Sequence, residues 1–288
     1  MIESLTQFIE EILARDASGP QIIVYRGHAD SEYLLIPSIF RNKERYENEH
    51  ILLRELLASH PEDFSSDSSA LEMLVRMQHF SLPTRLLDVT FNPLVALYFA
   101  CEPVYRRIEL KSSATKMRVR ADGEVVLLSL PKMRVRYFDS DTVSCIANIA
   151  RLSHSLKDKI DTRQQIFEFN QTLPVKRLIH FIRQEKNGFE AEIKPKDLDS
   201  IILVKPKQNN KRIIAQSGAF FIFGLTQELV DPKFATVNRM TISAKSKKGI
   251  LRDLDKLGIN EKTLFPDIER SAKYITGSFA APIRTLVK

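Results

Sequence analysis

Tryptophan is absent from this 288-residue chain, which has only two cysteines, Cys101 and Cys145, and nine glycines. Two thiols make neither a disulfide framework nor a four-ligand zinc site, so a reducing cytoplasm is the expected location. No run approaches the roughly 20 apolar residues of a membrane span, and no membrane association is expected. The first residues lack the basic stretch and apolar core of a secretory signal. The glycines form no P-loop and no dinucleotide fingerprint, and no serine-hydrolase elbow occurs. Histidines 28, 50, 60, 79, 154 and 180 show no metal-ligand spacing, so no metal is expected. Repeats, low-complexity tracts and Gly/Ser linkers are also missing, which points to one domain.

What is present is 43% apolar and 27% charged residues, the balance of a globular protein with a well-buried core. The net charge of +7 is uneven, with nine Lys/Arg against three acids between Arg106 and Arg136. That segment reads either as a phosphate-contacting surface or as a solvated loop and hairpin edge guarded by its own charge. Tyr105 and Tyr137 are its nearby aromatics, few for base stacking.

Periodicity predicts an α+β fold: a single mixed domain whose central, mostly antiparallel sheet is flanked by many helices. Leu5, Phe8, Ile9, Ile12 and Leu13 lie at helical spacing within residues 1–20, before a break at Gly19-Pro20. The core is expected over 21–230 and a C-terminal helical extension over 231–288. "QIIVYRG" at 21, "GEVVLLSL", "SIILVKP" and "GAFFIFGL" read as strands. Tyr46–Ser59 reads as a helix, and another starts near Ala70 and runs to His79, broken by Pro83. Asn92-Pro93 has the form of a helix start, opening the apolar helix "LVALYFACEPVY". "SCIANIARLS", "RLIHFIRQEK" and "SKKGILRDLDKLGI" are also helical, and a last helix is expected over residues 267–274.

Three polar constellations are candidates for chemistry. Tyr25-Arg26-Gly27 sits at a strand end, where an arginine fork suits phosphate or carboxylate and glycine permits close approach of a ligand or of backbone. Arg26 equally suits an internal acid such as Asp88. Gln78, His79, Thr84, Arg85, Asp88, Thr90 and Asn92 are interleaved with apolar runs, and buried polar atoms need partners. Arg85 and Asp88, three apart, could satisfy one another in a turn. Asn92 is a helix cap, or with Thr90 part of an anion-favouring helix start. His79 is a general base or a structural group. Gln216, before Ser217-Gly218, lies at the mouth of a strand. The two cysteines sit among apolar neighbours and read as core thiols.

On "YRG" at 25, "IPSIFR" at 36, "MQHFSLPTRLLDVTFNPLVALYFAC" at 77, "RIIAQSGAFFIFG" at 212 and "TLFPDIE" at 263, the chain resembles the FRG domain family of bacterial and phage proteins. Ser81 stands where that family usually has glycine, and Val89 where it usually has tryptophan. A weaker analogy is with ADP-ribosyltransferases, whose fold places an arginine on a first strand, a hydroxyl before an apolar helix, and a glutamate or its substitute later. Arg26, Thr90 and Gln216 occur in that order and are the implied catalytic residues. The implied cofactor is NAD, and Tyr25, Gly27, Gln78, His79, Thr84, Arg85, Asp88 and Asn92 are the candidate residues around it. Gln216 departs from the pattern, because an amide is no base at neutral pH. The resemblance implies an ADP-ribosyltransferase or NAD glycohydrolase acting on a nucleotide, nucleic acid or protein acceptor, in a toxin or anti-phage setting. A non-catalytic nucleotide or nucleic-acid binding module, built on Arg26, Arg85 and the 106–136 segment, is the alternative.

Overall fold

β-branched residues and a buried centre make β1 (Gln21–His28) an interior strand, and the other elements are arranged about it. The computed structural model describes residues 1–15, 21–109, 116–227 and 235–267. α1 (Leu5–Leu13), capped by Ser4, precedes β1. After β1 come α2 (Lys43–Glu47), α3 (Glu49–Ser59), α4 (Ala70–His79), β2 (Leu86–Thr90) and α5 (Pro93–Cys101). β3 (Tyr105–Glu109) and β4 (Lys116–Arg120) form a separate two-stranded ribbon, and β5 (Gly123–Pro131) returns to the main sheet. Then follow β6 (Val135–Tyr137), α6 (Asp141–Asn148), α7 (His154–Lys157), α8 (Ile166–Gln171), α9 (Leu173–Glu185) and α10 (Pro195–Leu198). β7 (Ile201–Lys205), α11 (Lys211–Ala215), β8 (Gly218–Phe223), β9 (Thr236–Ile242), α12 (Lys247–Lys256) and α13 (Glu261–Leu264) complete the order.

The strand order is β6-β7-β8-β2-β1-β5-β9, antiparallel throughout except for β6 with β7. This is the α+β domain that the periodicity predicts. On one face α1, α5 and α12 bury Phe8, Leu97, Ile250 and Leu254 against Val125 of β5. Beside them α4, α6 and α9 bury Leu74, Ile146 and Leu178 against Leu86 and Ile222. The other face packs Val24, Leu87, Val126 and Phe221 beneath Leu35 and Phe40 of the loop after β1. Each such side chain contributes about 1.5–3 kcal/mol by leaving water.

Four features differ from the sequence expectation. Leu86–Thr90 is a strand, which the polar Asp88 in its middle conceals. Residues 236–242, expected in a helical extension, form edge strand β9 on β5; its outer residues are exposed, so the apolar signal is weak. The Tyr46–Ser59 helix is divided at Asn48, whose dihedrals of −101° and 14° leave the helical range. α4 is ended before Pro83 by Ser81, at φ 66°, while Leu82 N–H donates back to the Met77 carbonyl. That is a Schellman ending with its left-handed residue at 81, the position a glycine occupies at least cost. The Gly19-Pro20 break and the helix expected over 267–274 lie outside the described residues, Asp267 apart.

Candidate functional site

The two halves of the sheet meet at a single register pair, Tyr25 opposite Thr90. By contrast β1 pairs with β5 along all eight of its residues, and β2 with β8 along all five. Beyond Tyr25 and Thr90 the strands part, and Arg26 bridges the gap by donating from Nη1 to the Asp88 carbonyl at 2.5 Å. A hollow of about 140 Å³ opens there, lined by Tyr25, Arg26, Gly27, Asp88, Val89, Thr90, Val95, Phe99, Arg212 and Gln216. A second hollow of about 70 Å³ shares Asp88, Val89, Arg212 and Gln216 with it and adds Gln78 and His79. Together they make one cleft on the helix-bearing face, and Arg26, whose side chain leaves β1 on the opposite face with Val24, reaches it through the gap between the strands.

Arg26 is half-buried and oriented from two sides. Its Nε donates to His28 Nε2 at 3.0 Å, two residues on along the same strand face. Burial lowers the Arg26 pKa from its ordinary value, and Asp88 opposes that shift. The same burial, with Arg26, Arg239 and Arg41 nearby, lowers the His28 pKa to about 3, so its imidazole is neutral and free to accept. The proton then sits on Nδ1, 3.7 Å from Glu124.

Gly27 serves the fold. A Cβ there would lie 2.0 Å from the Ala96 carbonyl oxygen, because α5 rests directly on the strand. Thr90 lines the cleft, but its hydroxyl donates to the Gln216 carbonyl at 2.6 Å and accepts from Asn92 N–H at 2.9 Å. Gln216 also lines it, and its amide donates to the Leu264 carbonyl at 3.0 Å. Asp88 is exposed within the cleft, and its carboxylate makes no ion pair among the described residues.

Arg26, Thr90 and Gln216, from three separate segments, therefore converge, together with Tyr25, Gly27 and Asp88; Gln78 and His79 line the adjoining hollow. Thr84, Arg85 and Asn92 line neither hollow. The Thr84 hydroxyl donates to Gln78 Oε1 at 2.6 Å and so orients it. Arg85 is fully buried and pairs with Glu49, not Asp88: residues three apart along an extended chain point to opposite faces. Asn92 caps α5 through Leu94 N–H at 2.9 Å. Val95 and Ala96 N–H both donate to the Asn92 carbonyl, so the turn offers no free donor to an anion.

Sequence reasoning missed His28, which the period-two spacing from Arg26 could have flagged. It also missed Arg212, one helical turn before Gln216, whose guanidinium lies 4.9 Å from the Phe265 ring centroid and lines both hollows. The 106–136 basic segment is not one surface. Arg107, Arg118 and Arg120 are exposed on the β3–β4 ribbon, whereas Lys132, Arg134 and Arg136 follow the far end of β5. A nine-residue strand separates the groups by roughly 26 Å. Residues 110–115 lie outside the described part. Cys101 and Cys145 are buried, and burial pushes each thiol up to about 12, as befits core groups. Among the described residues no helix is long and apolar enough to cross a membrane.

No curated protein and no solved structure matches the chain. Residues 21–107 match the family model described as the FRG domain. That stretch runs from β1 through β2 and α5 into β3, so it carries Arg26, Gly27, Asp88 and Thr90 on both lips of the cleft. The chain contains an FRG domain.

Proposed function

We propose that the cleft binds NAD and that the protein is an ADP-ribosyltransferase-like enzyme or NAD glycohydrolase. The convergence of Arg26, Thr90 and Gln216 where the sheet parts supports this reading. Arg26 supplies a fixed cation for the diphosphate, held in place by neutral His28 and the Asp88 carbonyl. Val95 and Phe99 offer apolar surface for a ring, and Gln78, with Thr84 behind it, offers polar contacts in the adjoining hollow. Thr90 and Gln216 act mainly by closing the cleft wall, through their bonds to each other and to Leu264. The two buried thiols suit a cytoplasmic setting, and the toxin or anti-phage role belongs to the same proposal. Labelled NAD incubated with the protein and cell extract is expected to be consumed or transferred, and Arg26→Ala to lower turnover at least tenfold. No turnover by the wild type in any extract rejects the enzyme.

A second reading, a nucleic-acid binding module, rests on the β3–β4 ribbon. Arg107 and Arg118 face each other across the strands, an arrangement that like charges disfavour unless an anion lies between them. Arg118 and Arg120 lie 4.9 and 5.8 Å from the exposed Tyr105 ring. Buried Arg85 takes no part in such a module. Duplex affinity should fall steeply with salt and be lost on reversing these arginines to glutamate; a flat response excludes the module.

A further inference from the structure

Resting on the NAD reading of the cleft, we infer that Asp88 is its catalytic carboxylate, the role that Gln216 has in the sequence order. Breaking an N-glycosidic bond to ribose builds positive charge on the sugar, as in glycoside hydrolysis, and a carboxylate facing that charge lowers the barrier. Gln216 has no charge to offer, and its amide is already engaged by the Leu264 carbonyl at 3.0 Å. The Thr90 hydroxyl is engaged by the Gln216 carbonyl at 2.6 Å.

Asp88 differs on each point. It lies at the centre of β2, at the residue where the two half-sheets have parted, and it lines both hollows. Its neighbours Leu87 and Val89 are buried on the opposite face of the sheet, so an aspartate here serves no core. Arg26 engages its backbone carbonyl, and among the described residues the carboxylate makes no ion pair. The exposed acid of an otherwise buried strand thus faces the cleft, beside the strand gap that Arg26 spans to its backbone carbonyl.

In the proposed step the bond between ribose C1′ and the nicotinamide nitrogen breaks, and its electron pair leaves with the nitrogen. Nicotinamide departs as a neutral base, so no proton donor is needed. The positive charge passes to the ribose C1′ and ring oxygen, opposite the Asp88 carboxylate. Water or an acceptor hydroxyl then donates a lone pair to C1′ and gives up its proton to Asp88 and on to solvent.

The test combines turnover, binding and folding for wild type, Asp88→Asn and Asp88→Glu. NAD affinity is read by calorimetry and folding by the thermal midpoint. Asp88→Asn is expected to keep the midpoint and to bind NAD within about threefold, while turnover falls by about 100-fold or more; Asp88→Glu should recover part of it. Turnover by Asp88→Asn within threefold of wild type overturns the assignment and leaves the NAD cleft standing. NAD binding without any turnover in the wild type also overturns it. A wild type that binds no NAD overturns both readings.

Discussion

At Arg85 a full positive charge is held with no solvent exposure, and its partners explain how. Nε and Nη2 donate to Glu49 at 2.9 and 2.5 Å, and Nη1 donates to the carbonyls of Phe223 and Gly224 at 2.8 and 2.9 Å. Lys157 Nζ adds a third bond to Glu49 at 2.5 Å. Burial alone would push the Glu49 carboxyl up, but Arg85 and Lys157 override it and hold it down at about 2. Glu49→Gln leaves two buried cations facing each other and should cost about 3–5 kcal/mol in denaturant unfolding; a loss below about 1 kcal/mol would contradict that structural role. Ser81 is the opposite case, an exposed residue in a backbone region that disfavours side chains. Ser81→Gly should raise stability by roughly 0.5–1 kcal/mol, read from the same transition. The sequence announced the importance of these positions better than their partners. Arg85 and Asp88 could pair only in a turn, whereas the chain is extended there, and Glu49, 36 residues away, gives no local sign of the pairing.

At the scale of elements, the seat of α5 decides the shape of the cleft. Gly27 of β1 and Gly123 of β5 both lie under it, and a Cβ at either would come within 2.0 Å of a helix carbonyl oxygen, that of Ala96 or Ala100. Gly27→Ala should therefore cost roughly 2–3 kcal/mol through overpacking and lift Val95 and Phe99 from the cleft wall. Thermal unfolding and NAD affinity should fall together; an unchanged thermal midpoint would mean that α5 does not rest on β1 as described. The strong elements were legible for two reasons: α1, α4 and α12 keep a helical period, and α5 and the strands β1, β5, β7 and β8 are largely unbroken apolar runs. β2 and β9 were not, and the reason is shared. Each mixes polar residues into a short strand, β2 because it faces a cleft and β9 because it is an edge. The weak joint between β1 and β2, on which the site depends, is a tertiary fact with no local sequence signal.

For the whole molecule, the buried histidine behind Arg26 links stability to pH. The His28 pKa lies at about 3 in the folded state, below its ordinary 6.5, so the unfolded chain binds the proton more readily. Its contribution is fully present above pH 6.5 and is lost as pH falls towards 3, at up to about 1.4 kcal/mol per unit. His50, lowered by burial and then by Lys157, acts in the same direction. Glu49 adds its own loss only below its ordinary 4.5. The thermal midpoint should thus fall between pH 6.5 and 4.5, less steeply in His28→Gln; a flat profile would refute the neutral, buried imidazole. Protonating His28 in the folded protein would also set two cations side by side and free Arg26, so NAD affinity should hold through that interval and weaken only as pH approaches 3. The central claim is that the parting of the two half-sheets is a nucleotide cleft. Backbone hydrogen exchange with and without millimolar NAD tests it most directly. The account predicts slower exchange at Tyr25–Gly27, Asp88–Thr90 and 212–218, and none of that slowing in Arg26→Ala. Unchanged exchange in the wild type, or protection confined to other parts of the molecule, would contradict it.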